Sequence, residues 1–239
     1  MKLYKPFFPA RDVGYSPTYK NKYDSTRIVV GQKFGENLND FYAQLGMKGH
    51  NGIDIPCVKG TPIFASHAGK VIRLSEKPTY GLGVTLQSPD GKFLTIYWHL
   101  TEILVKVGDV LRPFDLIGLA NSTGYSTGNH LHFGLYPVDE PKTNGYDGAV
   151  DPMPYMVEKY HFVLERNLRI GMKGEDVRDL QIFLAYEGFL GQVGFSGFTG
   201  YFGTQTFEAA RRFQKKYGIL ATGLVGPLTR AKINQIINT

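Results

Sequence analysis

The chain has 239 residues and a single cysteine, Cys57. One cysteine excludes an internal disulfide, so stability must come from core packing and from any metal the chain holds. Cys57 lies between Pro56 and Val58 in an apolar run and reads as a buried structural thiol. Long hydrophobic runs are also missing. No stretch approaches the roughly 18 apolar residues a membrane span needs, so no integral membrane protein is expected. Met1 to Ala10 carry two lysines and three aromatics but no apolar h-region, and the expectation is no signal peptide. The formal charge is +6, again without a dense basic run. Residues 1–160 hold 17 Lys+Arg against 15 Asp+Glu, and residues 161–239 hold 10 against 6, so most of the excess sits in the shorter C-terminal part. Such an excess favours polyanions in general. A mildly cationic surface explains it as well, and no nucleic-acid partner is expected.

What is present divides the chain in two. Residues 28–150 are rich in Gly, Val and Ile, and short apolar runs alternate with turn signals such as Gly60-Thr61-Pro62, His67-Ala68-Gly69 and Gly108-Asp109. That spacing describes an all-β unit of hairpins. The clearest hairpin turn is Ser88-Pro89-Asp90-Gly91, between Val84-Thr85-Leu86 and Phe93-Leu94-Thr95-Ile96. Residues 137–167, with Pro137, Pro141, Pro152 and Pro154, suggest a connector. Beyond it Val177, Leu180, Gln181 and Leu184 fall at helical spacing. Phe207, Ala210 and Phe213 do similarly, as do Leu228 and Ala231, and all three stripes read as core. Thr204 and Pro227 are placed to start helices, Gly188 and Gly218 to end them. The expected fold class is α+β in two domains, an antiparallel all-β domain at 1–160 and a small helical domain at 161–239.

Four of the six histidines fall in three tight motifs: His50-Asn51-Gly52-Ile53-Asp54, Tyr97-Trp98-His99-Leu100 and His130-Leu131-His132-Phe133. Gly52 and Pro56 argue against a helix at 50–56. In an extended segment His50, Gly52 and Asp54 share one face, with Gly52 leaving room between the polar groups, while Ile53 and Ile55 point into a core. His130 and His132 share a face by the same rule, with Leu131 and Phe133 opposite. Trp98, next to His99, is expected to pack on the opposite face. The motifs thus offer five polar side chains of the nitrogen and oxygen type that zinc prefers. A catalytic site uses three and leaves a position open, so two remain free for proton transfer. His67, at a turn, and His161, in the connector, read as structural or exposed. There is no His-Glu-x-x-His in the chain.

His-x-x-x-Asp, then Tyr-x-His-Leu, then His-x-His-Phe, in this order, resembles the M23 family of zinc metallopeptidases, the lysostaphin type. Phe34-Gly35, Gly60-Thr61-Pro62-Ile63, Lys106-Val107-Gly108-Asp109, Leu116-Ile117-Gly118 and the 124–128 loop agree with it, over about residues 28–153. The resemblance implies that His50, Asp54 and His132 bind zinc (Zn2+). It makes His99 and His130 the catalytic pair, one of them base toward the attacking water and both stabilising the tetrahedral intermediate. Tyr42 is the nearest candidate for the tyrosine that supports the oxyanion in family members.

The C-terminal part resembles a second family, the three-helix peptidoglycan-binding type 1 domain. Leu168-Arg169-Ile170-Gly171 with Leu180-Gln181 carry its start. Gly200-Tyr201-Phe202-Gly203, Phe213-Gln214 and Gly223-Leu224-Val225-Gly226-Pro227-Leu228-Thr229 carry the remainder. The insert Gly191–Phe198 is expected to form a loop beside the binding face. Together the resemblances imply a monomeric zinc endopeptidase that cuts the peptide cross-bridge or stem of bacterial peptidoglycan. The bond is either glycyl-glycine or one between a D-amino acid and a diamino acid. The pairing suggests a phage lysin, held in the host cytoplasm until released to the cell wall or periplasm, or carried on the virion. A non-catalytic wall-binding regulator and a structural virion component are the alternative readings.

Overall fold

The structure is a computed structural model that describes residues 1–6, 30–126, 128–157, 160–191 and 196–238. The described chain divides into two compact units, with the break between Val157 and Glu158.

The first unit is an antiparallel sheet of eight strands: β1 (Ile53–Pro56), β2 (Pro62–Phe64), β3 (Gly69–Lys77), β4 (Gly81–Gln87), β5 (Phe93–Ile103), β6 (Val110–Leu111), β7 (Leu116–Ala120) and β8 (His130–Pro137). The spatial order is β1-β8-β5-β4-β3-β6, with β7 joining β5 to β2. The expected turn joins β4 to β5. Gly91 takes φ +70°, its N–H donates to Ser88 O, and the Ser88 hydroxyl donates to Asp90 Oδ1 at 2.6 Å. Alternation holds where it matters for the site. Ile53 and Ile55 on β1, and Leu131 and Phe133 on β8, are almost wholly buried. The pairing sets Ile53 opposite Phe133 and Asp54 opposite His132. Burying each such side chain contributes about 1.5–3 kcal/mol. A one-residue slip would turn both polar faces into the core, so the apolar residues fix the register that assembles the polar ones.

Residues 137–167 are not one connector. Val150 pairs with Leu135, and Leu3 is hydrogen-bonded to Tyr155 and Val157, which ties 137–157 to the sheet. Leu164 instead exchanges two hydrogen bonds with the Asn234 side chain in the helical unit. The prolines mark short turns at Lys142–Asn144 and Met153–Tyr155. Cys57 is half-buried against the sheet core, and burial pushes its thiol up to about 12, so it stays protonated and unreactive. His67 is buried, with Nδ1 donating to Ala68 O at 2.6 Å and Nε2 2.8 Å from Thr95 Oγ1, while His161 is exposed.

Among the described residues the second unit has three helices, α1 (Glu175–Tyr186), α2 (Thr204–Lys216) and α3 (Pro227–Asn238). Val177, Leu180, Gln181 and Leu184 are buried, as are Ala210 and Phe213. The third stripe is different. Leu228 is 76% exposed and Ala231 is exposed, while α3 buries Thr229, Ile233 and Ile237. The reason is an internal duplication. Gln181 donates to Tyr201 O and Thr206 Oγ1 and accepts from Gly200 N. Gln214 donates to Leu224 O and Thr229 Oγ1 and accepts from Gly223 N. Each buried glutamine binds the loop before the next helix and draws in that helix's threonine, so Thr229 sets the inward face of α3. Residues 192–195 of the insert Gly191–Phe198, on which its expected loop falls, lie outside the described residues.

Candidate metal centre and active site

The three motifs meet where β1, β8 and β5 lie side by side, with Asp54 and Trp98 each opposite His132. His50 Nε2, Asp54 Oδ1 and His132 Nδ1 form a near-equilateral triangle. Its edges are 2.9 Å (His50–His132), 3.0 Å (His132–Asp54) and 3.1 Å (His50–Asp54). Among the described residues, these three form a group that could hold a metal ion. Gly52 makes the convergence possible, because a Cβ there would lie 2.8 Å from His132 Cε1 and Nε2 and 2.7 Å from Phe133 O.

The donor chemistry fits a cation. His50 Nδ1 lies 3.2 Å from the Lys33 carbonyl, which can only accept, so the ring proton sits there and Nε2 presents a lone pair. Asp54 is ionised. Burial pushes its carboxyl up, but the hydrogen bond from His132 and the neighbouring His50 and His132 rings outweigh that and hold it well below the usual carboxylate range. His132 is buried, and burial keeps it neutral by pushing its imidazole down. One proton on His132 Nδ1 cannot point at both neighbours, whereas a cation satisfies two imidazole nitrogens and a carboxylate together. A His-Asp-His set is one that zinc accepts.

His99 and His130 stand beside the triangle with ring centroids 4.6 Å apart. His99 Nδ1 donates to Thr123 O at 2.6 Å and His130 Nδ1 to Gly128 O at 2.8 Å, so each turns Nε2 away from its loop carbonyl. His130 Nε2 is 3.5 Å from Asp54 Oδ2. Burial first, then the neighbouring His130 and His132, push His99 down to about 4, which leaves it neutral at pH 7. Tyr42 also reaches the site. Its ring is 5.5 Å from that of His50 and its hydroxyl donates to Gln32 Oε1 at 3.2 Å. Burial and the Asp54 charge raise it to about 12, so it remains a phenol able to donate.

Trp98 overturns the expectation that it packs on the opposite face. It is directly across from His132 in the β5–β8 register, and the two rings are stacked at 5.0 Å and 14°. Both Trp98 and His99 reach the site side because β5 carries a bulge. Leu82 pairs with Leu100 and Val84 with Tyr97, so Gly83 alone opposes Trp98 and His99, and His99 takes φ +65°. A bulge re-aims side chains in this way, and the left-handed backbone of a non-glycine residue costs about 1–3 kcal/mol. Strict alternation cannot reveal it; Gly83, isolated in a strand pattern, was the available signal. The supporting carbonyls of Lys33, Thr123 and Gly128 left no trace in side-chain patterns.

Residues 48–150 match the family model of peptidase family M23, and residues 173–233 match that of a peptidoglycan binding domain. The chain is 38% identical over 118 residues to a glycyl-glycine endopeptidase of Staphylococcus capitis, a match covering 47% of this chain and 31% of the relative. It is 38% identical over 99 residues to a peptidoglycan DD-endopeptidase of Vibrio cholerae, covering 40% and 23%. The chain thus spans about a third or less of the length of these relatives. The catalytic domain of lysostaphin from Staphylococcus simulans is 32% identical, with 54% of this chain and 91% of that one covered at a TM-score of 0.46. The chain therefore carries a peptidase family M23 domain at residues 48–150 followed by a peptidoglycan binding domain at residues 173–233.

Proposed function

We propose that the chain is a zinc-dependent endopeptidase that hydrolyses a peptide bond of bacterial peptidoglycan, in the cross-bridge or the stem. The observation that carries this reading is the His50–Asp54–His132 triangle with two further imidazoles beside it. Zinc bound there supplies Lewis acidity, making water nucleophilic at neutral pH and polarising a carbonyl. The remaining steps belong to the chain. His99 and His130, with their protons fixed on Nδ1 by Thr123 O and Gly128 O, offer Nε2 to take the proton of the attacking water and return it to the leaving amine. Once it has accepted that proton, an Nε2–H of the pair, together with the Tyr42 phenol, is suited to stabilise the negative charge that develops on the carbonyl oxygen.

The pairing of an M23 domain with a peptidoglycan binding domain supports a lysin that works at the wall, its substrate concentrated by residues 161–239. All five site residues come from one chain, so the proposed site needs no residue from a partner subunit. The relatives include both a glycyl-glycine and a DD-endopeptidase, so the substrate class is a peptidoglycan peptide of either kind. Metal analysis of the purified chain tests the reading. About one zinc per chain, with wall-lytic activity lost in chelator and regained with zinc, is expected. Full activity in a protein free of metal contradicts it.

A further inference from the structure

Four histidines line the site, and three of them are aligned in one way. His50, His99 and His130 each donate the nitrogen that faces away from the centre to a backbone carbonyl, of Lys33, Thr123 and Gly128. Such a bond normally fixes both tautomer and ring plane of a histidine at a metal centre. His132 is the exception. Its Nε2 is buried and has no hydrogen-bond partner. Something other than a hydrogen bond must therefore hold the plane of this ring.

The rings around it supply that constraint. Trp98 lies flat on His132 at 5.0 Å and 14°, and Tyr80 lies flat on Trp98 at 4.2 Å and 20°. The three rings form one stack running outward from the centre, from buried His132 to Tyr80 at the surface. On β4, Gly83 makes room for the indole, because a Cβ there would come within 2.3 Å of Trp98 Cδ1. Gly52 makes room for the imidazole as described above. We infer that Trp98 is a positioning residue: the Tyr80–Trp98–His132 stack does for His132 what a carbonyl does for the other three histidines, holding Nδ1 toward His50 and Asp54. The inference rests on reading the triangle as a metal centre.

It predicts that metal affinity depends on a flat ring at position 98. In competition with a chelator of known affinity, the full chain with Trp98→Leu should bind zinc roughly 10–100-fold more weakly than wild type, the usual effect of losing support behind a ligand. Trp98→Phe, which keeps a flat ring, should recover most of that loss. Thermal melts of the metal-free proteins separate this from a folding defect, since the affinity difference should persist between variants with similar metal-free midpoints. Trp98 is the sole tryptophan, so the emission of metal-free wild type should also change when zinc is added. Equal zinc affinity in wild type, Trp98→Leu and Trp98→Phe overturns the inference and leaves the metal centre standing. So does equal weakening by Leu and Phe, which reports bulk rather than stacking. Should Trp98→Leu not fold, an unchanged wild-type emission on zinc binding, or zinc binding by Trp98→Phe as weak as that of the ligand variant His132→Ala, overturns it. Absence of zinc binding by wild type itself removes the metal reading, and the inference with it.

Discussion

His99 and His130 are held by one loop. Asn121 N–H donates to His99 O, His130 N–H donates to Asn121 O, and the two imidazoles donate to Thr123 O and Gly128 O of the same segment. The Thr123 hydroxyl anchors that loop by donating to Leu100 O at 2.7 Å and accepting from Leu82 N at 3.1 Å. Thr123→Val keeps the shape and removes both bonds, leaving the Leu82 N–H unpaired. A stability loss of about 1–3 kcal/mol is expected from denaturant unfolding. Hydrolysis should fall more than zinc content, because on the proposed reading the loop holds the proton-transfer pair and not the triangle. Parallel loss of zinc and rate would show that the loop supports the ligands instead.

His130→Ala and His132→Ala remove the same side chain from the same strand and should fail differently. His132 Nδ1 is a corner of the triangle, so its loss should release zinc and lower the thermal midpoint through lost linkage. His130 stands outside the triangle, so its variant should keep about one zinc and lose roughly 10²–10⁴-fold in rate. Metal analysis of both proteins decides the matter, and indistinguishable zinc contents would undo the division of roles.

His67 gives the sheet an acid sensitivity separate from the site. Burial pushes its imidazole down, against the opposing effects of the Ala68 carbonyl and the Asp90 charge. A base depressed in the folded state binds fewer protons there than when unfolded. Its contribution to stability is therefore complete above the unfolded value of about 6.5 and declines as pH falls below it. His67→Gln should lose less stability than wild type between pH 6.5 and 5, measured by urea unfolding of the metal-free proteins. Identical slopes in the two proteins would assign the acid loss to other groups.

The duplicated glutamines of the helical unit should be equivalent in energy. Gln181→Leu and Gln214→Leu each strip partners from a buried N–H, a carbonyl and a threonine hydroxyl. Each should destabilise by a few kcal/mol, on the order of 1–3 kcal/mol for every buried group left unpaired. Calorimetry should give similar losses for both and an unaltered zinc content. A large difference between them would mean that the second copy is not built like the first.

Much of the site was legible because it lies in strands with apolar residues on their other face. Ile53 and Ile55 betray the orientation of His50 and Asp54, and Leu131 and Phe133 betray that of His132. Gln181 was legible only as one member of a helical stripe; that it binds a loop, and that Gln214 repeats the pattern, needs three dimensions. Leu228 misled because hydrophobicity at helical spacing carries no information about which face meets Gln214. Trp98 misled because a bulge breaks the alternation on which the reading relied. The prolines of 137–167 read as a connector, whereas the backbone bonds of Leu3 and Val150 that tie residues 150–157 into the first unit are invisible to composition.

The central claim is that this centre cuts peptide bonds of the wall. Mass spectrometry of the fragments released from purified peptidoglycan by the full chain, with Asp54→Ala as control, tests it most directly. The account predicts soluble fragments with new amino termini in the cross-bridge or stem, intact glycan linkages, and none of these products from Asp54→Ala. Fragments cut in the glycan with peptides intact, or equal release by Asp54→Ala, would contradict it.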